Sequence, residues 1–126
     1  MKKDIAEKWI AALESGQYKQ GRHCLRSNDD KFCCLGVLCD LYAKEHDKTI
    51  WEKIWEKIWD IRSNLPYRFL GQTLYLPEQV QMWAEIKNEY GDFFDSDNQK
   101  FLSVMNDDGN DFYTIAKEIK EHWEEL

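Results

Sequence analysis

The chain has 126 residues, which is enough for one domain and too few for two domains with separate hydrophobic cores. Apolar residues make up 43% of it and aromatic residues 14%, and this composition excludes a disordered chain. The formal net charge of −7 argues against nonspecific binding to the phosphate backbone of a nucleic acid polymer.

Apolar residues recur at helical spacing near the start of the chain. They predict a first helix with Ile5, Trp9 and Leu13 on its inner face, ended by Ser15-Gly16. A turn-forming cluster at 27–30 then predicts a short hairpin in which residues 24–26 face residues 31–33. The apolar run at 35–44 predicts a buried helix, with Gly36 near its start for close packing or a tight entry.

The middle of the chain repeats the unit Trp-Glu-Lys-Ile over residues 51–59. A four-residue period nearly matches the helical repeat, so we predict a helix with Trp51, Trp55 and Trp59 on one face. That face would pack against the core or form a homo-oligomer surface, since Trp is enriched at interface hot spots. Residues 67–70 and 73–75 predict a second small hairpin.

The last third predicts two more helices. Pro77 fits the first turn of a helix that Gly91 closes. Residues 92–98 read as an acidic, turn-rich segment, and residues 99–105 as a short helix or strand. Asp111 is the expected N-cap of the final helix. The predicted fold is therefore α+β: a helix-dominated single domain over residues 1–126, with four or five helices around a small β-hairpin unit.

The most distinctive chemical feature of this acidic chain is a cluster of basic residues, which we call the basic island. Lys19, Arg22, His23 and Arg26 lie within ten residues that contain no acid. Arg suits phosphate because its planar fork donates parallel hydrogen bonds, and Gly21 would let backbone N–H groups approach an anion. The predicted ligand-binding residues also include an amide and an aromatic ring; the full set is Tyr18, Lys19, Gln20, Arg22, His23 and Arg26.

The island also has a structural interpretation. Arg22 and Arg26 could instead pair with Asp29, Asp30 or Asp40 and organise the fold, and this alternative carries more weight than a ligand pocket. A contact patch for another protein is the third alternative.

The four cysteines, Cys24, Cys33, Cys34 and Cys39, fall within 16 residues. Their spacing lacks the paired ligands of zinc sites, and we expect no metal site and no cofactor. The start of the chain lacks the apolar run of a signal peptide, so we expect reduced thiols in a cytoplasm, at least three of them buried. No run approaches the ~18 apolar residues of a membrane span.

Catalysis is not predicted. His23 and Cys24 are neighbours in sequence, and neighbouring side chains in a strand point to opposite faces, which is unsuited to a base–thiol pair. No phosphate-binding loop, glycine fingerprint or serine nucleophile motif is present. We therefore predict a protein that is not an enzyme and has no catalytic residues.

Three stretches resemble a family of small uncharacterised proteins of tailed bacteriophages, prophages and bacteria. They are residues 9–41 with the run Phe-Cys-Cys-Leu-Gly-Val-Leu-Cys-Asp-Leu at 32–41, then Leu76-Pro77 with Val80 and Trp83, and residues 105–109 with the apolar face of the final helix. The resemblance implies a small protein of the bacterial host cytoplasm in a phage or prophage setting, and it supplies no activity.

Small phage proteins of this size often counter host defence. The leading expectation is accordingly an accessory protein that sequesters a small anionic ligand, such as an immune signalling nucleotide, without chemistry. The alternative is a protein-binding inhibitor of a host factor, acting through the aromatic helix or through an acidic surface that mimics DNA.

Overall fold

The computed structural model describes residues 1–54 and 65–126. In this part of the chain the helices are α1 (Lys3–Glu14), α2 (Cys34–Glu45), α3 (Glu78–Ala84), α4 (Leu102–Asp107) and α5 (Phe112–His122), with a 3-10 turn at Lys48–Ile50. The strands are β1 (Lys19–Gln20), β2 (Lys31–Phe32), β3 (Trp51–Lys53), β4 (Tyr67–Phe69), β5 (Asp92–Asp95) and β6 (Asn98–Phe101). The predicted α+β, helix-dominated architecture with small hairpins is confirmed.

The core lies between α1, α2 and α5. Helix α1 packs against both of the others, and its inner residues Ile5, Trp9 and Leu13 are buried as their spacing predicts. The Trp9 indole Nε1 donates a hydrogen bond to the carbonyl oxygen of Cys34, at 2.9 Å. This bond lets the largest side chain of the core bury its one polar group at the start of α2.

Helix α2 is the most buried element, as its apolar run predicts. The Sγ atom of Cys33 caps it by accepting a hydrogen bond from the backbone N–H of Gly36, at 3.4 Å. The prediction of close packing at Gly36 is confirmed, because its backbone lies directly against that of the fully buried Leu25.

The strands pair two by two, and the first pair differs from the expectation. Residues 24–26 and 31–33 do approach each other in antiparallel fashion, through a bridge between Arg26 and Phe32. Strand β2 is also paired in parallel with β1, which sets Lys19 opposite Lys31 and Gln20 opposite Phe32. Sequence patterning missed this ladder because two residues are too few to show an alternation.

The helix predicted over 51–59 is wrong at its start. Trp51–Lys53 forms β3, antiparallel to β4, because the Trp51 ring packs against Phe69 with 4.5 Å between the ring centroids. The remainder of the repeat, with Trp55 and Trp59, lies outside the described residues. The hairpin predicted between 67–70 and 73–75 is also wrong, since β4 pairs with β3 and only one bridge joins Phe69 to Gln72.

Two further differences lie between α3 and α4. Helix α3 ends at Ala84 and is followed by Glu85, whose φ of +52° is left-handed, and so it stops before Gly91. The segment read as an acidic turn forms the hairpin of β5 and β6. Asp111 is the N-cap of α5, as predicted, and accepts a hydrogen bond from the N–H of Thr114 at 2.8 Å.

Candidate functional site

The six residues of the predicted ligand site lie on β1 and on the loop that follows it, but their side chains go to three different places. Tyr18 and Arg26 enter an aromatic framework with acidic partners. Gln20 enters a buried polar junction. Lys19, Arg22 and His23 stay exposed. Only these last three keep cationic groups available to a ligand.

Arg26 takes the structural role that was the alternative to ligand binding. Its Nε and Nη2 atoms both donate to Oδ1 of Asp30, at 3.0 and 2.7 Å. Its guanidinium lies 4.0 Å from the centroid of the Tyr67 ring and within 5.4 Å of the centroids of Phe32 and Trp51. Arg stacks well on such rings because its planar cation is weakly hydrated. Arg26 therefore joins β2, β3 and β4.

Tyr18 is also engaged within the protein. Its hydroxyl donates to Oδ2 of Asp40 at 2.5 Å and accepts from Nζ of Lys44 at 2.9 Å. Burial raises the pKa of Tyr18 above its ordinary value, and the Asp40 carboxylate raises it further. The hydroxyl consequently stays protonated and holds α2 to the start of β1.

Gln20 belongs to a junction built around Asn106, a polar side chain that is fully buried. The Oδ1 atom of Asn106 accepts from Nε2 of Gln20 at 3.0 Å and from the N–H of Cys34 at 3.1 Å. Its Nδ2 atom donates to the carbonyl oxygen of Gly21 at 2.8 Å. The junction fixes the end of β1 against the start of α2 and the C-terminal end of α4. It thereby positions the exposed cations that follow β1.

Four exposed basic side chains lie on β1, on the loop after it and on β2, and we call them the basic edge: Lys19, Arg22, His23 and Lys31. Lys19 and Lys31 are register partners on the parallel ladder, and both project from its exposed side. A β-carbon added at Gly21 would lie 2.8 Å from Cβ of Lys31, so the Lys31 side chain crosses directly over the glycine. Lys31 also has an acidic neighbour, Asp29, at 3.6 Å.

The other two members of the basic edge face the C-terminal end of α4 and the loop after it. The guanidinium of Arg22 lies beside Gly109, where an added β-carbon would be 3.0 Å from Nη2. His23 has a left-handed φ of +67°, and its N–H donates to Oδ1 of Asp107 at 2.9 Å. Its imidazole is 78% exposed and lies 3.5 Å from Oδ2 of the same carboxylate. The strained backbone of His23 is thus held by Asp107.

A cavity of about 240 Å³ opens next to His23. It is lined by His23, Cys24, Cys33, Leu74, Tyr75, Ser103 and Asp107. It brings together the side-chain types of a thiol-dependent catalytic site, yet burial raises the pKa of the Cys24 thiol, and Asp107 and Asp29 raise it further. A nucleophilic cysteine needs the opposite shift, since the thiolate is the reactive form.

The remaining thiols are core residues. Cys33, Cys34 and Cys39 are buried, which confirms the prediction that at least three of the four would be. Burial raises the pKa of Cys33 to about 12. These three side chains act as small apolar groups.

Sequence reasoning missed three members of this region: Lys31, Asn106 and Asp107. Lys31 lies five residues beyond Arg26, the last residue of the island, and its pairing with Lys19 comes from the parallel ladder. Asn106 and Asp107 belong to a segment that is typical of a solvated turn, whereas α4 continues through both. The one signal in this segment is an Asn followed by two acidic residues and a glycine, a pattern that many surface turns share.

Comparison with known proteins places the chain in a family. Residues 1–123 match the profile of a domain of unknown function, DUF8296. The chain belongs to the DUF8296 family. The match covers the basic edge, the Asn106 junction and α5 up to its C-cap. No curated protein and no solved structure matches the chain. Among the described residues, no helix has the length and apolar character needed to cross a membrane.

Proposed function

We propose that this DUF8296 protein binds a small phosphorylated ligand, such as a nucleotide, at the basic edge, and holds it without chemistry. The observation that carries the proposal is the register of Lys19 with Lys31 on the ladder of β1 and β2. Like charges directly opposite each other across paired strands are unfavourable. A phosphate placed between them turns that repulsion into two attractions.

The surroundings favour a small anion over a long one. The chain as a whole carries −7, so its field repels an extended polyanion, while the basic edge attracts a single phosphate group locally. Arg22, which is exposed, adds a planar donor beside the two lysines. His23 stands at the mouth of the adjacent cavity, where a sugar or base would extend from the phosphate.

Binding without catalysis agrees with the state of the nearby thiol. Cys24 is protonated at neutral pH because burial raises its pKa, so the pairing of His23 with Asp107 has no thiolate beside it. A sequestering role in phage counter-defence within a host cytoplasm extends this proposal. It rests on the resemblance of residues 32–41 to the phage and prophage proteins.

The test is calorimetric titration with a panel of inorganic pyrophosphate, ADP, ADP-ribose and cyclic dinucleotides. We expect one of these to bind, and K19Q combined with K31Q to weaken it by at least tenfold, because each charge-assisted hydrogen bond contributes about 1.5–3 kcal/mol. The matched control, K48Q combined with K117Q, removes the same charge from exposed positions and should stay within about twofold of wild type.

Arg22 and Arg26 separate a ligand role from a structural one. R22Q should weaken binding and leave the thermal midpoint unchanged. R26A should lower the midpoint, because it removes the contacts to Asp30 and Tyr67. Equal affinity in the K19Q/K31Q variant and wild type, or no binding anywhere in the panel, would overturn the proposal.

Direct inhibition of a host protein is the second candidate. An apolar groove supports it, lined by Tyr75, Tyr90, Phe101, Ser103 and Val104, with Val104 50% exposed. Large exposed apolar patches mark interaction surfaces. Capture of one defined host protein by wild type, lost in V104E and retained in K19Q/K31Q, would favour this candidate over ligand sequestration.

A further inference from the structure

We propose that the last two turns of α5 form a binding site for one divalent transition-metal cation of the zinc class, with Glu118, Glu121 and His122 as its protein ligands. This site is separate from the basic edge and does not depend on the proposed function. It differs from the prediction of no metal site, because that prediction was based on the spacing of the cysteines alone.

The three side chains converge because of their spacing on the helix. Residues three and four apart in sequence lie on one helical face, so positions 118, 121 and 122 share it. One ligand atom from each side chain lies within 4.8 Å of the other two. One short segment of a single helix therefore brings three potential metal ligands together.

The distance between Glu118 and His122 matches metal coordination better than it matches direct pairing. Nε2 of His122 lies 3.6 Å from Oε2 of Glu118, beyond the range of a hydrogen bond. Two donors at that separation, each about 2.1 Å from a metal, subtend roughly 120° at it, near the tetrahedral angle that zinc adopts. The pair can thus ligate with little movement.

The imidazole of His122 is already oriented for ligation. Its other nitrogen, Nδ1, lies 2.7 Å from Oε2 of Glu125, and its ring stacks on Phe93 with 4.6 Å between centroids. A metal-bound histidine almost always donates its second ring N–H to a carboxylate or carbonyl, which fixes the tautomer and leaves the other nitrogen free for the metal. Glu125 supplies this contact, and the ring is only 17% exposed.

A cation also resolves an electrostatic conflict at this end of the helix. The C-terminal end of a helix carries a partial negative charge, so the acidic side chains of the last turns are placed unfavourably. The ammonium of Lys100 is already paired with Asp95, at 2.9 Å. A divalent ion between Glu118 and Glu121 would compensate both carboxylates and the helix end. The imidazole selects a borderline metal over Ca²⁺ or Mg²⁺, which prefer oxygen ligands alone.

The test is titration of the full-length protein with zinc alone, followed by calorimetry. We expect one equivalent to bind and calcium not to bind. E118Q, E121Q and H122Q should each weaken zinc binding by at least tenfold, and E125A by about tenfold through loss of ring orientation. H46Q and C24S are the controls and should bind zinc as the wild type does. Circular dichroism on each variant establishes that it is folded.

Nuclear magnetic resonance of the histidine ring nitrogens gives a second readout that does not depend on variants. The chain has three histidines, so their signals are separable. Zinc should shift Nε2 of His122 and leave His23 and His46 unchanged. Absence of zinc binding, loss of binding in C24S, or a zinc-induced shift of His23 in place of His122 would each overturn the proposal.

Discussion

Gly36 and Leu25 touch through their backbones: a β-carbon added at Gly36 would lie 1.8 Å from the carbonyl oxygen of Leu25. The contact joins the first turn of α2 to the loop between β1 and β2. Neither partner can move aside, because the Leu25 carbonyl also accepts a hydrogen bond from the N–H of Cys33. Both residues are buried.

The G36A variant should therefore be severely destabilised. Overpacking in a core costs about 1–3 kcal/mol and sometimes more, and a clash with backbone leaves no side chain to rearrange, so we expect about 3 kcal/mol or more. Urea unfolding measures the loss. G16A is the matched comparison, because Gly16 has a positive φ but open space around it, and it should cost about 1–2 kcal/mol. Equal costs in the two variants would contradict the packing argument.

Removing the side chain of Asn106 should break its hydrogen bonds to three polar partners in the junction. They are the Gln20 amide, the N–H of Cys34 and the carbonyl oxygen of Gly21. An unsatisfied buried group costs about 1–3 kcal/mol, so N106A should lower the unfolding free energy by roughly 2–4 kcal/mol. N98A, at an exposed asparagine of the β5–β6 hairpin, should stay within about 0.5 kcal/mol of wild type. An unfolding free energy for N106A close to that of wild type would contradict this, because it would show that water satisfies the polar groups that Asn106 contacts.

The N-cap of α5 gives the stability a pH dependence of defined sign. The N–H of Thr114 lowers the pKa of Asp111 below the 3.8 of an unperturbed aspartate. Because the ionised carboxylate is favoured in the folded state, it stabilises the fold fully above pH 3.8. This stabilisation is lost as the pH falls through the pKa that Asp111 has in the folded protein.

Urea unfolding of wild type, D111N and D111A between pH 7 and pH 2 would test this sign. D111A should be less stable than wild type at pH 7, and the difference should shrink below pH 3.8. D111N keeps a neutral oxygen acceptor, so its own cap should not titrate. A wild-type advantage over D111A that grows on acidification would contradict the assigned direction.

The thiols should react in two classes. Cys33, Cys34 and Cys39 are buried with raised pKa values, so a disulfide reagent at pH 8 should modify at most Cys24 in the folded protein. Denaturation with guanidinium should then expose all four. Fewer than four reactive thiols in the denatured chain would show that the expectation of reduced, metal-free cysteines is wrong.

The parts of this fold that follow from sequence are those where many residues repeat one signal. Helices α1 and α5 have apolar residues at helical spacing, and α2 is formed by one apolar run. All three are buried where these patterns predict. The strands carry only two to four residues each, so their pairing depends on partners elsewhere in the chain. Trp51 illustrates this: the repeat around it favours a helix, and its packing on Phe69 selects a strand.

The candidate site was predictable only in part for the same reason. The charges of Lys19, Arg22 and His23 are visible in the sequence, and they remain exposed in the fold. The engagement of Arg26 depends on Tyr67, which lies 41 positions further along the chain, stacks on the guanidinium and donates its backbone N–H to the carbonyl oxygen of Arg26 at 2.9 Å. The sequence therefore identifies the basic residues but does not show which of them form ion pairs and ring contacts within the protein.

The Asn106 junction also determines when the basic edge can exist. Asn106 is 86 positions from Gln20 and 72 from Cys34, so its hydrogen bonds close some of the longest loops in the chain. During synthesis, β1 and its cations leave the ribosome long before the residue that anchors them. If the basic edge binds a phosphorylated ligand as proposed, the nascent protein should acquire that affinity in a single late step, once α4 has docked, and truncated translation products should not compete for the ligand.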